Sequence, residues 1–365
     1  MNDKKVRFLR AALYFSFGAF MVLWILAFLQ GCTPKTGTSS APNAASAAAE
    51  GKEVVLYCSV DEVYAKPLIK KLEAQTGLKI KALFDTEATK TAGLANRIRA
   101  EGNRVKADVF WSSALLQTLL MSDEGILESY TSPAAKDLPA GAFGDQWAGV
   151  GMRARVLLSS KPQNAAVDNP FEDSFINSRL GVSNPQFGTA TDWAVALTQR
   201  DGHTSISNLS VNEATFFERF KGSGVRVLPG NGDVARLVAN GNLTYGWSDS
   251  DDFLAQKREK KPIYLVKTLD YNVLVPGAVS ILKGAPHPNN AQKLFDAIAS
   301  AQNEKALTQT MPGVFSLRHL NEKSNFQSGG QDFSFLQNTK LDAYDEWPSI
   351  WKKIREPLSE IFVLQ

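Results

Sequence analysis

The sequence predicts an α/β protein of two lobes joined by crossing strands, with a ligand cleft between the lobes. Two observations carry this. From Glu53 onward, β-prone apolar runs alternate with helix-like segments in two successive sets. Two unusually long β-prone runs, Trp147–Ser160 and Tyr271–Gly284, bracket the second set. A chain that leaves one lobe and returns to it needs two such crossings, so the first lobe is expected to be discontinuous. The length of 365 residues is long for one core and comfortable for two.

The elements follow in order. "EVVLYCS" is almost continuously apolar, as in a strand buried on both faces. "YAKPLIKKLEAQTG" reads as a helix, with Pro67 in its first turn, Leu68 and Leu72 one turn apart, and Gly77 as its stop. "LKIKALF" is a strand, and "TAGLANRIRAEGN" is a helix with Leu94 and Ile98 on one face. "ADVFWSS" and "ALLQTLLMSDEG" complete the first set as strand and helix. Such alternation implies right-handed crossovers and a parallel sheet covered on both faces. The second set holds "RLGVSNPQFG", "DWAVALTQR", "NEATFFERFKGSG", "VRVLP", "DVARLVANG", "LTYGWSD" and "IYLVK". The helix "PNNAQKLFDAIASAQ" follows the second crossing, and the tail from Leu341 reads as helical. The expected boundaries are 52–148 and 273–330 for lobe 1, 149–272 for lobe 2, and 331–365 for a helical tail packed on a lobe.

The N-terminus is an export signal. Basic "MNDKKVRFLR" precedes an apolar run from Ala11 to Leu29, and then "LQGC" ends at Cys32. Leu, a small Gly and Cys in that placement resemble the bacterial lipobox, which implies cleavage after residue 31 and lipid on Cys32. An uncleaved membrane anchor is the other reading of the same run. Residues 32–51 are Ser, Ala, Pro and Thr with few large apolar side chains, and form a tether that cannot fold alone. The net charge of +3 resides entirely in residues 1–31, so the remainder is neutral and offers nucleic acid no electrostatic footprint. Cys58 is the only other cysteine, leaving no pair for a disulfide in the folded part; it reads as a small buried residue.

Enzymatic motifs are missing. No GxSxG, HExxH or GxxxxGK[ST] occurs, and His203, His287 and His319 lack zinc-site spacing. "DSDDFLAQKREK" fails as a calcium loop, because Phe253 stands at the third ligand and Lys260 at the glutamate. We therefore expect a binding protein rather than an enzyme.

The lipobox and tether, with "VVLYCSVDEVYAKPLIKKLEAQTGLKIKALFDTEATKTAGL", "ADVFWSS", "RARVLL" and "GAPHPNNAQKLFDAI", together resemble bacterial ABC-importer solute-binding lipoproteins. Within these, the chain is similar to the branch of the ferric-ion-binding periplasmic proteins. The resemblance implies a type II periplasmic-binding-protein fold. It also implies a monomeric receptor in the cell envelope that hands its solute to an ABC permease and its ATPase. In that branch a loop after the first strand and a paired Tyr in the second lobe hold Fe(III) through hard oxygen donors. Here the first loop is "SVDEVY", offering Asp61, Glu62 and Tyr64, and the paired-Tyr position holds "GWSDSDD". Carboxylates remain as metal candidates: Asp249, Asp251, Asp61 and Glu62. No resident cofactor is expected; iron(III), with or without a companion anion, would be cargo. The alternative cargo is a small organic zwitterion or anion such as an aminophosphonate, and a remoter alternative is a sensor or scaffold on the same fold.

Further candidate contacts are Thr89, Lys90 and Thr91 at a helix start, where amides, hydroxyls and a lysine make an anion site. Ser112 and Ser113 end a buried strand at its carboxyl edge, where open α/β sheets bind ligands; Ser113 also suits a plain N-cap. Arg153 and Arg155 share one face of the first crossing strand and suit an oxyanion, or an interlobe salt bridge. Phe187, Gly188 and Thr189 open a helix whose amides face an anion. Asp251 and Asp252 are candidate contacts as well, although a first turn behind an N-cap Ser250 also accounts for them; Asp249, at the strand end, is the favoured cleft carboxylate.

Overall fold

The computed structural model describes residues 51–85, 91–171, 176, 179–200, 217, 220, 223–268 and 271–362. In chain order these form β1 (Glu53–Cys58), α1 (Glu62–Thr76), β2 (Lys79–Phe84), α2 (Ala92–Glu101), β3 (Val109–Ser112), α3 (Leu116–Asp123), β4 (Phe143–Gly144) and β5 (Trp147–Ser159). They continue as β6 (Leu180–Ser183), α4 (Gly188–Arg200), β7 (Arg226–Leu228), α5 (Asn231–Ala239), β8 (Tyr245–Asp249), α6 (Ser250–Arg258), β9 (Tyr264–Val266) and β10 (Val273–Ile281). The last elements are α7 (Pro288–Ala299), α8 (Ala301–Thr310), the two-residue strands β11 (Gln327–Ser328) and β12 (Gln331–Asp332), and α9 (Trp347–Ile361).

The main sheet runs β2-β1-β3-β10-β5-β8-β6-β7, with β4 and β9 also pairing β5. The expectation of an all-parallel sheet holds only inside each half. There β1 pairs β2 and β3 in parallel, and β6 pairs β7 and β8 likewise. The long strands β10 and β5 run antiparallel to each other and to their outer neighbours β3 and β8. A strand that enters a lobe without its own crossover helix has no reason to run with the rest. The helix expected over 212–224 falls largely outside the described residues.

All 13 residues of β5 are buried. Alternation then assigns its faces. Ala148, Val150, Met152, Ala154, Val156 and Leu158 join one core, with α1, α7 and α5. Trp147 and Leu157 join the other, built around Trp193, Trp247 and the tail helix α9. Phe171 stacks on Trp247 at 5.6 Å between centroids, and Trp193 lies 5.4 Å from the same indole.

Two glycines let the crossing strands approach their neighbours. A Cβ on Gly277 would sit 3.0 Å from the carbonyl oxygens of Ser112 and Val150, at a register shift between β10 and β5. Gly151 has φ +65, and a Cβ there would sit 2.9 Å from Val314 Cγ1. The Gly151 N–H is held by buried Glu304 (3.2 Å), which also accepts from Leu317 N (2.8 Å) and Ser316 Oγ (2.8 Å). This fastens α8 and the segment after it to the crossing strand.

Local expectations are mostly kept. Gly77 ends α1 with φ 69, its N–H on Glu73 O at 2.8 Å. Pro67 differs: α1 begins at Glu62, so the proline lies beyond the first turn and withdraws the donor of the Val63 carbonyl. Cys58 is buried, and burial pushes its thiol up to about 12, which makes it inert. Ser113 does not cap α3. The amides of Leu115 and Leu116 are taken instead by Asp192 Oδ1 of α4, at 2.7 and 3.1 Å. Among the described residues no helix is long and apolar enough to cross a membrane; the apolar run 11–29 and Cys32 lie outside them.

Candidate functional site

Strand ends, loops and helix starts meet around Arg153. On one side, Ser59 follows β1 and Ser113 follows β3. Ser59 Oγ accepts from Ser113 N (2.9 Å) and donates to Ser113 Oγ (3.3 Å), while Thr91 Oγ1 donates to Ser59 Oγ (3.3 Å). Thr91 is fully buried with φ 67, a conformation a β-branched residue adopts only under constraint. Thr89 and Lys90 lie outside the described residues.

On the other side, the first turns of α4, α5 and α6 converge. Gly188 and Thr189, Gly230 and Asn231, and Asp251 and Asp252 line a polar chamber, with Ser113 and Arg153 opposite. The chamber holds about 490 Å³ of atom-free space, part of it open to solvent. Amides at three helix starts favour negative charge. A second chamber of about 310 Å³, also partly open, adjoins it, sharing Ser113 and Arg153. Its other lining includes Ser112, Val60, Met152, Met311 and Val314.

Arg153 is 7% exposed. Its Nη2 donates to Ser113 O (2.9 Å), and its Nη1 donates to Asp251 Oδ2 (3.3 Å) and stands 3.6 Å from Asp249 Oδ2. Burial by itself would lower its pKa. The carboxylates of Asp251, Asp249, Asp61 and Asp252 outweigh burial and hold it raised.

Arg155 and Asp249 differ from expectation. Both are completely buried. Arg155 Nη1 donates to Asp249 Oδ1 (2.8 Å) and Asn231 Oδ1 (2.6 Å), and the guanidinium lies 5.4 Å from the Trp193 ring centroid. Asp249 Oδ2 also accepts from Thr189 Oγ1 (2.5 Å) and Asn231 Nδ2 (3.0 Å). Desolvation pushes the Asp249 carboxyl up, but Arg155 and Arg153 dominate and hold it below its ordinary value. The pair is therefore an internal strut beneath the cleft. Thr189 turns its hydroxyl to that strut and also lines the chamber.

The remaining carboxylates also sort differently from expectation. Asp251 and Asp252, candidate contacts that also suit a first helical turn, line the polar chamber. Ser250 is not the N-cap; Asp249 occupies that position, and Ser250 Oγ donates to Gly313 O (2.6 Å) and accepts from Ala154 N (3.1 Å). Glu62 pairs with Lys66 at 2.5 Å on the exposed side of α1 and is not brought to the cleft. Asp61 acts on Arg153 through its charge. Tyr64 lines neither chamber; its hydroxyl accepts from Arg258 Nη2 of α6 (2.8 Å). Ser112 Oγ donates to Ala114 O at 2.5 Å. Phe187 lines the polar chamber.

Asp249, Asp251 and Asp252 bring one oxygen each within 4.8 Å of one another. Two guanidinium groups already serve this cluster. Among the described residues, no tyrosine lines either chamber. Sequence reasoning missed Ser59, Asn231 and Asp192. Ser59 carried a signal, since it follows β1 at the carboxyl edge as Ser113 follows β3.

Two α/β halves flanking a cleft, with antiparallel crossing strands between them, define the type II periplasmic-binding-protein fold. Iron-bound HitA from Pseudomonas aeruginosa superposes with a TM-score of 0.69 at 18% identity, over 85% of this chain and 99% of that one. AfuA from Actinobacillus pleuropneumoniae, with fructose-6-phosphate bound, gives 0.67 at 18% identity over 86% and 99%. At that identity the likeness concerns the fold alone. The profile of the family described as bacterial extracellular solute-binding protein matches residues 54–310, and the chain belongs to that family. Among curated relatives, the major ferric iron-binding protein of Neisseria meningitidis serogroup B is 25% identical over 276 residues, covering 70% of this chain and 78% of the relative. That of Neisseria gonorrhoeae is 24% identical over 275 residues, covering 70% and 78%.

Proposed function

We propose that the protein is the receptor of an ABC importer, tethered outside the cytoplasmic membrane by lipid on Cys32. Its cargo is a small organic zwitterion that carries an oxyanion, handed to a permease and its ATPase without turnover. The observation that carries this reading is Arg153. A guanidinium stands at the junction of both chambers, facing amide-bearing helix starts, with Asp251 and Asp252 beside it. An oxyanion fits the guanidinium and the amides, and an amine fits the two carboxylates. Lobe 1 contributes Ser113, and lobe 2 contributes the three helix starts.

A bare ferric ion suits this arrangement poorly. Arg153 Nη1 stands 3.3 Å from Asp251 and 3.6 Å from Asp249, on the acidic cluster that a hard cation would need. The second reading is an iron(III)–anion complex, supported by the ferric iron-binding relatives and the Asp249–Asp251–Asp252 cluster.

Calorimetry of the purified mature chain against aminomethylphosphonate, inorganic phosphate and ferric citrate tests both. Aminomethylphosphonate is expected to bind, and Arg153→Met to weaken it by about ten- to a hundredfold, the worth of one or two charge-assisted contacts. Stoichiometric iron uptake with no organic anion present would overturn the zwitterion reading.

A further inference from the structure

We infer that the solute carries a short apolar branch beside its charged head, and that the second chamber houses it. This rests on the zwitterion reading above and specifies the part of the molecule that the head-group contacts leave open. The chamber is lined by Val60 from the loop after β1, Val150 and Met152 from β5, Leu307 from α8, and Met311 and Val314 just beyond it. All six are buried side chains. Polar side chains enter mainly at the rim shared with the polar chamber, where Arg153 and Ser113 stand. The Ser112 hydroxyl is spent on the Ala114 carbonyl.

A space of this kind holds water poorly, because an ordered water needs two to four polar partners. Left unfilled, its walls lack the dispersion contacts they would make with a neighbour. A hydrocarbon branch supplies those contacts and loses its own hydration. The connection at Arg153 fixes the geometry: an oxyanion on the guanidinium places a substituent on the next carbon at the mouth of the apolar chamber. Gly151 and Gly277 let the crossing strands pack closely at the chamber wall, because side chains there would meet Val314 and the backbone of Ser112 and Val150. The chamber is small, so the branch is short, on the order of one to three carbons.

The test is a homologous series with a constant head group: aminomethyl-, 1-aminoethyl-, 1-aminopropyl- and 1-aminobutylphosphonate, titrated calorimetrically into the mature chain. Affinity is expected to rise about three- to fourfold per added methylene over the first two or three carbons, then to level or fall. Val314→Phe, which fills the chamber, reverses the order, so that longer members bind more weakly than aminomethylphosphonate. Met311→Ala, which enlarges it, moves the optimum to a longer member and keeps the test available if the filled variant does not fold. A series that binds with equal affinity at every length overturns the apolar branch and leaves the zwitterion reading standing. If neither the series nor inorganic phosphate binds, the head-group reading falls and the branch falls with it.

Discussion

Replacing Asp249 by asparagine removes one charge from a pair that has no access to water. Arg155 and Asp249 are each 0% exposed and 2.8 Å apart. The carboxylate also accepts from Thr189 and Asn231, so three donors converge on it. An asparagine keeps one acceptor oxygen and turns an NH2 toward donors. Arg155 would be left charged in a site that cannot solvate it, since its other polar contacts are the neutral Asn231 and the Trp247 carbonyl. Breaking a buried ion pair from one side costs about 3–5 kcal/mol. Most domains are stable by only about 5–15 kcal/mol, so the variant should unfold at markedly lower urea. The assay is urea denaturation followed by tryptophan fluorescence, to which Trp193 and Trp247 beside the pair contribute. The double variant Arg155→Met, Asp249→Leu should recover much of the loss, because it removes both charges and retains apolar bulk. A single variant that loses less than about 1 kcal/mol of stability while solute affinity drops tenfold or more would refute the reasoning. Asp249 would then be a cleft contact rather than a strut.

Three further outcomes are expected. Burial pushes the Asp192 carboxyl up to about 7 against the pull of the Leu115 and Leu116 amides; the folded state therefore holds its proton more tightly than the unfolded chain, and this contribution to stability is full below about pH 4 and is lost as pH rises toward 7. Asp192→Asn, measured by denaturation across that range, should gain on wild type with rising pH, by up to about 4 kcal/mol between the limits; a constant difference would contradict this. Gly313→Ala should destabilise by about 2–4 kcal/mol and weaken solute binding, because Gly313 has φ +90 and an added Cβ would lie 2.5 Å from the backbone N and Cα of Asp251; thermal unfolding and calorimetry report the two effects. Cys32→Ser should yield an unlipidated chain by intact mass, and retention of residues 1–31 in the native protein would argue for the uncleaved anchor.

Strand–helix alternation and the two long β runs were legible in the sequence because they are local. A buried strand shows as a continuous apolar run, and a crossing strand shows as one too long for a single lobe. The same local reading placed Arg153 and Ser113 at strand positions that open on a cleft. It could not separate Arg153 from Arg155. Two residues apart, they share a face, and the sequence treats them alike. Tertiary packing divides them: Trp193 and Asn231 close over Arg155, whereas Arg153 lines both chambers. The acids divide for a similar reason. Asp249 ends a strand and points inward beside Arg155, while the turn into α6 swings Asp251 and Asp252 out to the chamber. Asn231 and Asp192 left no local signal, because the partners of their side chains lie 18 or more residues away in sequence. Local residue patterns suffice to assign the strands, the helices and the two long crossing strands. Which charges neutralise one another in the interior and which remain at the cleft is settled by packing, because it depends on what the other elements bring to each side chain.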